Sequence, residues 1–169
     1  GTWWAHQQLE AKPDLMCFGK KMQVCGILAT DRVDDIPNNV FHTSSRINST
    51  WGGNLVDMVR ATRYLEIIEE ENLLENVKEQ GKFLMQELHN IENEFPNLIS
   101  NVRGKGLFCA FDFPNSEIRN KVRELCFENK LIILSCGDKS LRFRPSLNAK
   151  RKQLEDGLAI IRHCIAKVK

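Results

Sequence analysis

An α/β fold is what this sequence predicts, on three grounds. Its second half alternates apolar stripes of helical period with short continuous apolar runs. A run with the character of a buried strand, Asp14 to Phe18, passes directly into Gly19-Lys20-Lys21, and ligands of α/β sheets sit at that end of a strand. The composition, 42% hydrophobic and 27% charged over 169 residues, is that of a globular domain or part of a larger one.

The elements follow in order. Asp14 to Phe18 lies between Pro13 and Gly19 and reads as a buried strand, with a second apolar patch from Val24 to Ala29. Thr30 to Asn39 is rich in Asp, Asn and Pro and reads as a loop. Met58, Ala61, Leu65 and Ile68 recur at helical spacing behind Asn54, which suits an N-cap, and Asn72 interrupts that helix. Val77, Gly81, Leu84, Leu88, Ile91 and Phe95 form the cleanest single-face stripe, stopped at Phe95-Pro96 because proline disfavours helical geometry at the residue before it. Ile99 to Val102 and Leu107 to Phe113 read as strands around a tight turn at Gly104-x-Gly106. Ser116 caps a helix bearing Ile118, Val122 and Leu125; Leu131 to Leu134 reads as a continuous apolar strand. Leu141 to Arg144 is a short strand closed by Pro145, and Leu154, Leu158, Ile161, Ile165 and Val168 mark a last helix.

Several function classes are excluded by what is present. A net charge of +2 is too balanced for a nucleic-acid footprint, and no apolar stretch is long enough to span a membrane. Gly1-Thr2-Trp3-Trp4 has neither the charged nor the apolar region of a signal peptide, and the missing initiator Met points to a processed or excised chain. The six cysteines show no C-x-x-C pair, and Cys17, Cys109, Cys126 and Cys164 sit in apolar runs, so buried free thiols in a reducing compartment are expected. His6, His42, His89 and His163 are scattered without ligand spacing, and no metal site is expected.

Three segments can carry chemistry. A lysine such as Lys20, held near apolar walls at a strand end, can have a lowered pKa and form a Schiff base; equally, Lys20 and Lys21 can be ordinary solvated loop lysines. Asn48-Ser49-Thr50-Trp51-Gly52-Gly53-Asn54 precedes a helix and either cradles an anion or only caps that helix. On a strand, Arg142 and Arg144 share a face, which fits bidentate carboxylate binding or a charged edge that discourages aggregation.

Taken together, Pro13-Asp14-Leu15-Met16-Cys17-Phe18-Gly19-Lys20-Lys21, Ser49-Thr50-Trp51-Gly52-Gly53-Asn54 and Leu141-Arg142-Phe143-Arg144-Pro145 resemble the class III ω-aminotransferases, in order and over essentially the whole chain. That family has the type I fold and depends on pyridoxal 5'-phosphate. Phe18 to Gly26 and Ser45 to Asn54 look most like the branch that acts on the ε-amino group of L-lysine, with 4-aminobutyrate aminotransferases as the alternative. The resemblance implies Lys20 as the catalytic lysine that binds the cofactor covalently and shuttles the proton. It implies Thr50, with Ser49 beside it, at the cofactor phosphate, reaching across a homodimer interface. Arg142 is implied as the receptor of the carboxylate of 2-oxoglutarate and glutamate, and Asn48 as a further substrate-binding residue. The implied reaction moves the ε-amino group of L-lysine to 2-oxoglutarate, giving 2-aminoadipate 6-semialdehyde and glutamate, in the cytoplasm or the mitochondrial matrix.

The implied organisation is the C-terminal portion of the type I fold. Residues 1–53 would be the tail of the large cofactor-binding domain, 54–71 an interdomain helix, and 72–169 a small C-terminal α/β domain. Family members are longer, and the aspartate that pairs with the cofactor's ring nitrogen, a stacking aromatic and a glycine-containing phosphate loop have no counterpart here. The chain is therefore expected to be a piece of a longer enzyme, half of a split one, or a non-catalytic remnant with a binding or structural role. On its own it is expected not to transaminate.

Overall fold

The computed structural model describes residues 1–47 and 49–168, and it divides into two compact units, Thr2–Asn72 and a second running from Leu73 to the C-terminus with Gly1 attached.

In Thr2–Asn72, strand β1 (Leu15–Phe18) pairs antiparallel with β2 (Gly26–Ala29), Leu15 opposite Ala29 and Phe18 opposite Gly26. A 3-10 turn, Lys20–Met22, closes this hairpin. The expected loop from Thr30 to Asn39 contains a 3-10 turn, Asp31–Asp35. Helix α1 (Leu55–Glu70) starts where its cap predicts: the Asn54 side chain accepts from the Val56 amide at 3.0 Å. It stops at Asn72, whose φ of 50° is left-handed. Two expectations are corrected here. β1 is not buried, since Leu15 is 56% exposed, and Cys17 is an exposed thiol rather than a buried one. Both readings came from an apolar run, which shows that a surface is meant to be covered but not whether this chain covers it. Trp51, Leu55 and Val59 are exposed too, and among the described residues only Ala61 and Asn39 of this unit are buried.

The second unit holds the core. Helix α2 (Leu73–Glu94) buries Val77, Leu84, Leu88 and Ile91 along its stripe. Strands β3 (Ser100–Lys105), β4 (Phe108–Asp112), β5 (Leu134–Cys136) and β6 (Ser140–Phe143) form one antiparallel sheet in the order β3-β4-β6-β5. Helix α3 (Ser116–Glu128) and helix α4 (Arg151–Ala166) complete the unit. Cys109, Phe111, Leu141 and Phe143 alternate onto the face that packs against Leu84, Val122, Leu158 and Ile161. Ala110, Asp112, Ser140 and Arg142 therefore share the opposite face.

Three boundaries differ from expectation. Gly104 lies within β3, paired with Cys109, so the turn expected at Gly104-x-Gly106 is confined to Gly106 and Leu107. Asn115, not Ser116, caps α3, because its side chain accepts from the Ile118 amide at 2.9 Å and leaves Ser116 in the first turn. Of Leu131 to Leu134 only Leu134 enters a ladder, opposite Arg142; Leu131 to Ile133 lie outside it, with Leu131 N–H donating to the Cys126 carbonyl at 2.8 Å, and Ile132 is 79% exposed.

Candidate active site

Lys20 lies immediately past the end of β1, in the 3-10 turn, and is exposed rather than walled by apolar side chains. Its φ is 56°, and Gln23, which ends the turn, has φ 66°. Left-handed backbone at residues other than glycine persists only where surroundings hold it. The base of the hairpin supplies one hold. A Cβ at Gly19 would meet Cys25 Sγ at 2.9 Å, and one at Gly26 would run into the Phe18 ring, so each glycine receives a side chain from across the ladder. The turn supplies two bonds of its own, Met22 N–H to Gly19 O at 3.2 Å and Gln23 N–H to Lys20 O at 3.1 Å. A third comes from α1, where Arg60 Nη1 donates to Gln23 Oε1 at 3.1 Å and to Asp57 Oδ1 at 3.3 Å.

Ser49 and Thr50 stand exposed in the polar turn ahead of α1, where Gly52 N–H donates to Ser49 O at 3.1 Å. Asn48 lies outside the described residues. The start of α1 offers the partial positive charge of a helix N-terminus beside two hydroxyls, a combination that suits a phosphate.

Arg142 belongs to the other unit, half-buried on β6 between Ala110 and Leu134. Arg144 falls past the end of β6 and is exposed, so the shared strand face expected for the two arginines is held by Arg142 alone. Both line a pocket of about 320 Å3 whose other walls include Leu134, Phe143, Gln153 and Leu158. Among the described residues no carboxylate pairs with Arg142, and its Nε is buried without a hydrogen-bond partner. Two nearby arginines behave otherwise. Arg119 is buried and donates to the carbonyls of Asp138 at 3.0 Å and Ser140 at 3.2 Å, tying down the β5–β6 turn. Arg103 donates to Asp112 Oδ1 at 2.8 Å and to Ser140 Oγ at 3.1 Å. Asp112 also accepts from Ser140 at 2.5 Å and from Asn101 at 2.9 Å. Burial pushes the Asp112 carboxyl up, but the Ser140, Asn101 and Arg103 hydrogen bonds outweigh it and hold it below its ordinary value. On this face Arg103 is paired with Asp112, whereas Arg142 has no such partner among the described residues.

Sequence reasoning missed Gln23, Arg60, Arg103 and Asp112. Asp112 carried a signal: between Phe111 and Phe113, period-2 alternation puts it on the face away from the core.

The pattern of the aminotransferase class-III family matches residues 1–165. The chain belongs to that family. Its members depend on pyridoxal phosphate and have the type I fold. The chain is 46% identical over 169 residues to an L-lysine-epsilon aminotransferase of Streptomyces clavuligerus, covering 99% of this chain and 37% of that protein. It is 37% identical over 149 residues to the mitochondrial 4-aminobutyrate aminotransferase of Sus scrofa, covering 87% and 29%. A solved lysine aminotransferase from M. tuberculosis, in its internal aldimine form, superposes with a TM-score of 0.94 at 43% identity, over 99% of this chain and 39% of that one. The chain thus spans 29% to 37% of the length of these curated relatives. Within Thr2–Asn72, an amine on the turn that ends β1 and two hydroxyls ahead of a helix are the donor types the family's cofactor needs, for a Schiff base and for a phosphate. No helix among the described residues is long and apolar enough to cross a membrane.

Proposed function

We propose that this chain forms the lysine- and arginine-bearing part of an aminotransferase that moves the ε-amino group of L-lysine to 2-oxoglutarate. The observation that carries the choice of donor is the identity of 44–47% to relatives named for lysine, against 36–37% to those named for 4-aminobutyrate. Residues 1–53 would belong to the large domain, 54–71 to the connecting helix and 72–169 to the small domain.

When bound, pyridoxal phosphate supplies the electron sink for amine transfer. The family resemblance assigns each residue a part that suits its chemistry. Lys20 Nζ would hold the cofactor, and as a free amine it would take and return the proton at the donor's carbon. Thr50 Oγ1 and Ser49 Oγ, ahead of α1, would bind the phosphate; Asn48, assigned to the substrate by the family resemblance, lies outside the described residues. Arg142, with an unsatisfied donor and no internal carboxylate among the described residues, binds the carboxylate of glutamate and 2-oxoglutarate. Open apolar surface on α1 and at Trp51 supports a homodimer or a large partner surface. Free thiols support a reducing compartment such as the cytoplasm, with the mitochondrial matrix as the alternative.

The test is reductive trapping. Pyridoxal phosphate is added to the 169-residue chain, reduced with borohydride and mapped by mass spectrometry, with Lys20→Ala as control. Trapping at Lys20, prevented when L-lysine is added before the borohydride at lower concentration than 4-aminobutyrate requires, is the expected result. Label spread evenly over surface lysines refutes the role of Lys20, and protection favouring 4-aminobutyrate refutes the donor.

A further inference from the structure

The geometry points to Arg60, acting through Gln23, as a positioning residue for Lys20. Lys20 must present its amine from a turn in which two residues other than glycine, Lys20 at φ 56° and Gln23 at φ 66°, are left-handed. Such a turn relaxes unless something outside it resists. Its base is clamped, with Cys25 against Gly19 and Phe18 against Gly26. Its far end, Gln23, is half-buried and bonds the Lys20 carbonyl through its own N–H at 3.1 Å, a hold within the turn. The hold from outside the turn is a side-chain hydrogen bond, Arg60 Nη1 to Gln23 Oε1 at 3.1 Å, across 37 residues of sequence.

Arg60 suits the task. It sits in the second turn of α1, and Asp57, one turn earlier, accepts from the same Nη1 at 3.3 Å and aims the guanidinium. Asp57 also lies in the first helical turn, where a carboxylate is favoured by the helix dipole, so the aiming group is itself held in place. The bonds from Asp57 through Arg60 to Gln23 therefore join the helix that follows Thr50 to the turn that carries Lys20. An exposed contact of this kind adds little to global stability, and its consequence is local: it fixes where the Lys20 backbone stands.

This inference rests on the assignment of Lys20 as the cofactor lysine, and the experiment separates the two. Four single variants are made: Arg60→Met and Gln23→Leu remove the bond, while Arg60→Lys and Gln23→Glu retain a donor and an acceptor. Amide hydrogen exchange at Met22 and Gln23 is measured in the cofactor-free chain. Pyridoxal phosphate trapping at Lys20 is then measured relative to its exposed neighbour Lys21. The two disrupting variants should exchange about two- to fivefold faster at these amides and lose the Lys20 preference by a similar factor, the range expected of an exposed pair. The two conservative variants should recover both readouts. Unchanged exchange in Arg60→Met and Gln23→Leu overturns the inference, and so does an equal loss in Arg60→Lys. Should the unaltered chain label Lys20 no better than Lys21, the functional assignment falls, and the exchange data still decide whether Arg60 holds the turn.

Discussion

Replacing Arg142 with Met should leave the Leu73-to-C-terminus unit as stable as before or more so. Methionine keeps most of the aliphatic stem that packs between Ala110 and Leu134 on the sheet. What disappears is a guanidinium whose Nε is buried without a partner. An unsatisfied buried donor costs about 1–3 kcal/mol, and half-burial of the residue brings the expected gain to about 0–2 kcal/mol. The control is Arg119→Met. There the guanidinium bonds the Asp138 and Ser140 carbonyls and Nε bonds Asn120 at 2.8 Å, so removal strands acceptors around a buried side chain and should cost about 2–4 kcal/mol. Far-UV circular dichroism in urea follows α2, α3 and α4 directly. Trp3, Trp4, Trp51 and Tyr64 all precede Leu73, so their fluorescence reports the other unit and checks that the effect is local. An Arg142→Met chain destabilised as much as Arg119→Met would refute the claim that Arg142 is held for a ligand rather than for the fold.

Gly81→Ala sets helix propensity against packing. Alanine gains about 1 kcal/mol in a helix interior. Its Cβ would lie 2.6 Å from Gly106 Cα and 2.7 Å from its carbonyl carbon and oxygen, backbone that cannot yield easily, and overpacking of this sort costs about 1–3 kcal/mol. The midpoint of thermal unfolding should fall by several degrees in a unit of about a hundred residues; a rise would show that the helix and turn can separate. Asp112→Asn should destabilise the same unit by about 1–3 kcal/mol, because it weakens three hydrogen bonds around a nearly buried carboxylate. The Asp112 carboxyl is held below its ordinary value, so its contribution is complete above about pH 4 and is lost as pH falls through the depressed folded value. Stability of the parent chain should thus drop more steeply in acid than that of Asp112→Asn, and parallel curves would contradict the assignment. Cys17 and Cys25 are exposed and should react at once with a thiol reagent at pH 8. Burial pushes the Cys109 thiol up to about 11 and, with Cys164 as neighbour, Cys126 up to about 12, so these two should react only on unfolding.

The sequence was most readable where a pattern is enforced by burial within the chain. Val77, Leu84, Leu88 and Ile91 announce α2 because each has its own partners in the core. Asn54 announces α1 because its cap is a bond to a residue two positions away. Adjacent capping types defeated the same logic at Asn115 and Ser116, where only the folded dihedrals decide which side chain reaches Ile118. Leu131 to Leu134 failed for another reason: an apolar run fixes no ladder, and β5 begins where β6 offers a partner, at Leu134 opposite Arg142. At the candidate site, Lys20 was visible from a Gly-Lys step after a strand. The Arg60–Gln23 bond was not, because no local pattern links two polar side chains 37 residues apart.

Where the chain breaks local rules is informative about function. Natural sequences agree with their folds at most positions, and exceptions concentrate where something other than stability is served. The Leu73-to-C-terminus unit satisfies even awkward groups: buried Arg119 has its carbonyls, and Asp112 has Ser140, Asn101 and Arg103. Against that standard the orphaned Nε of Arg142 is an exception the surrounding strands could have removed, since serine on the neighbouring register position already serves Asp112. Lys20 is the matching exception in Thr2–Asn72, a β-hairpin turn with left-handed backbone at a lysine where glycine would fit without strain. Left-handed backbone also occurs at Glu10, Gln23, Ser45 and Lys130, so what sets Lys20 apart is its place directly after the glycine that ends β1, as what sets Arg142 apart is a buried donor without a partner among the described residues.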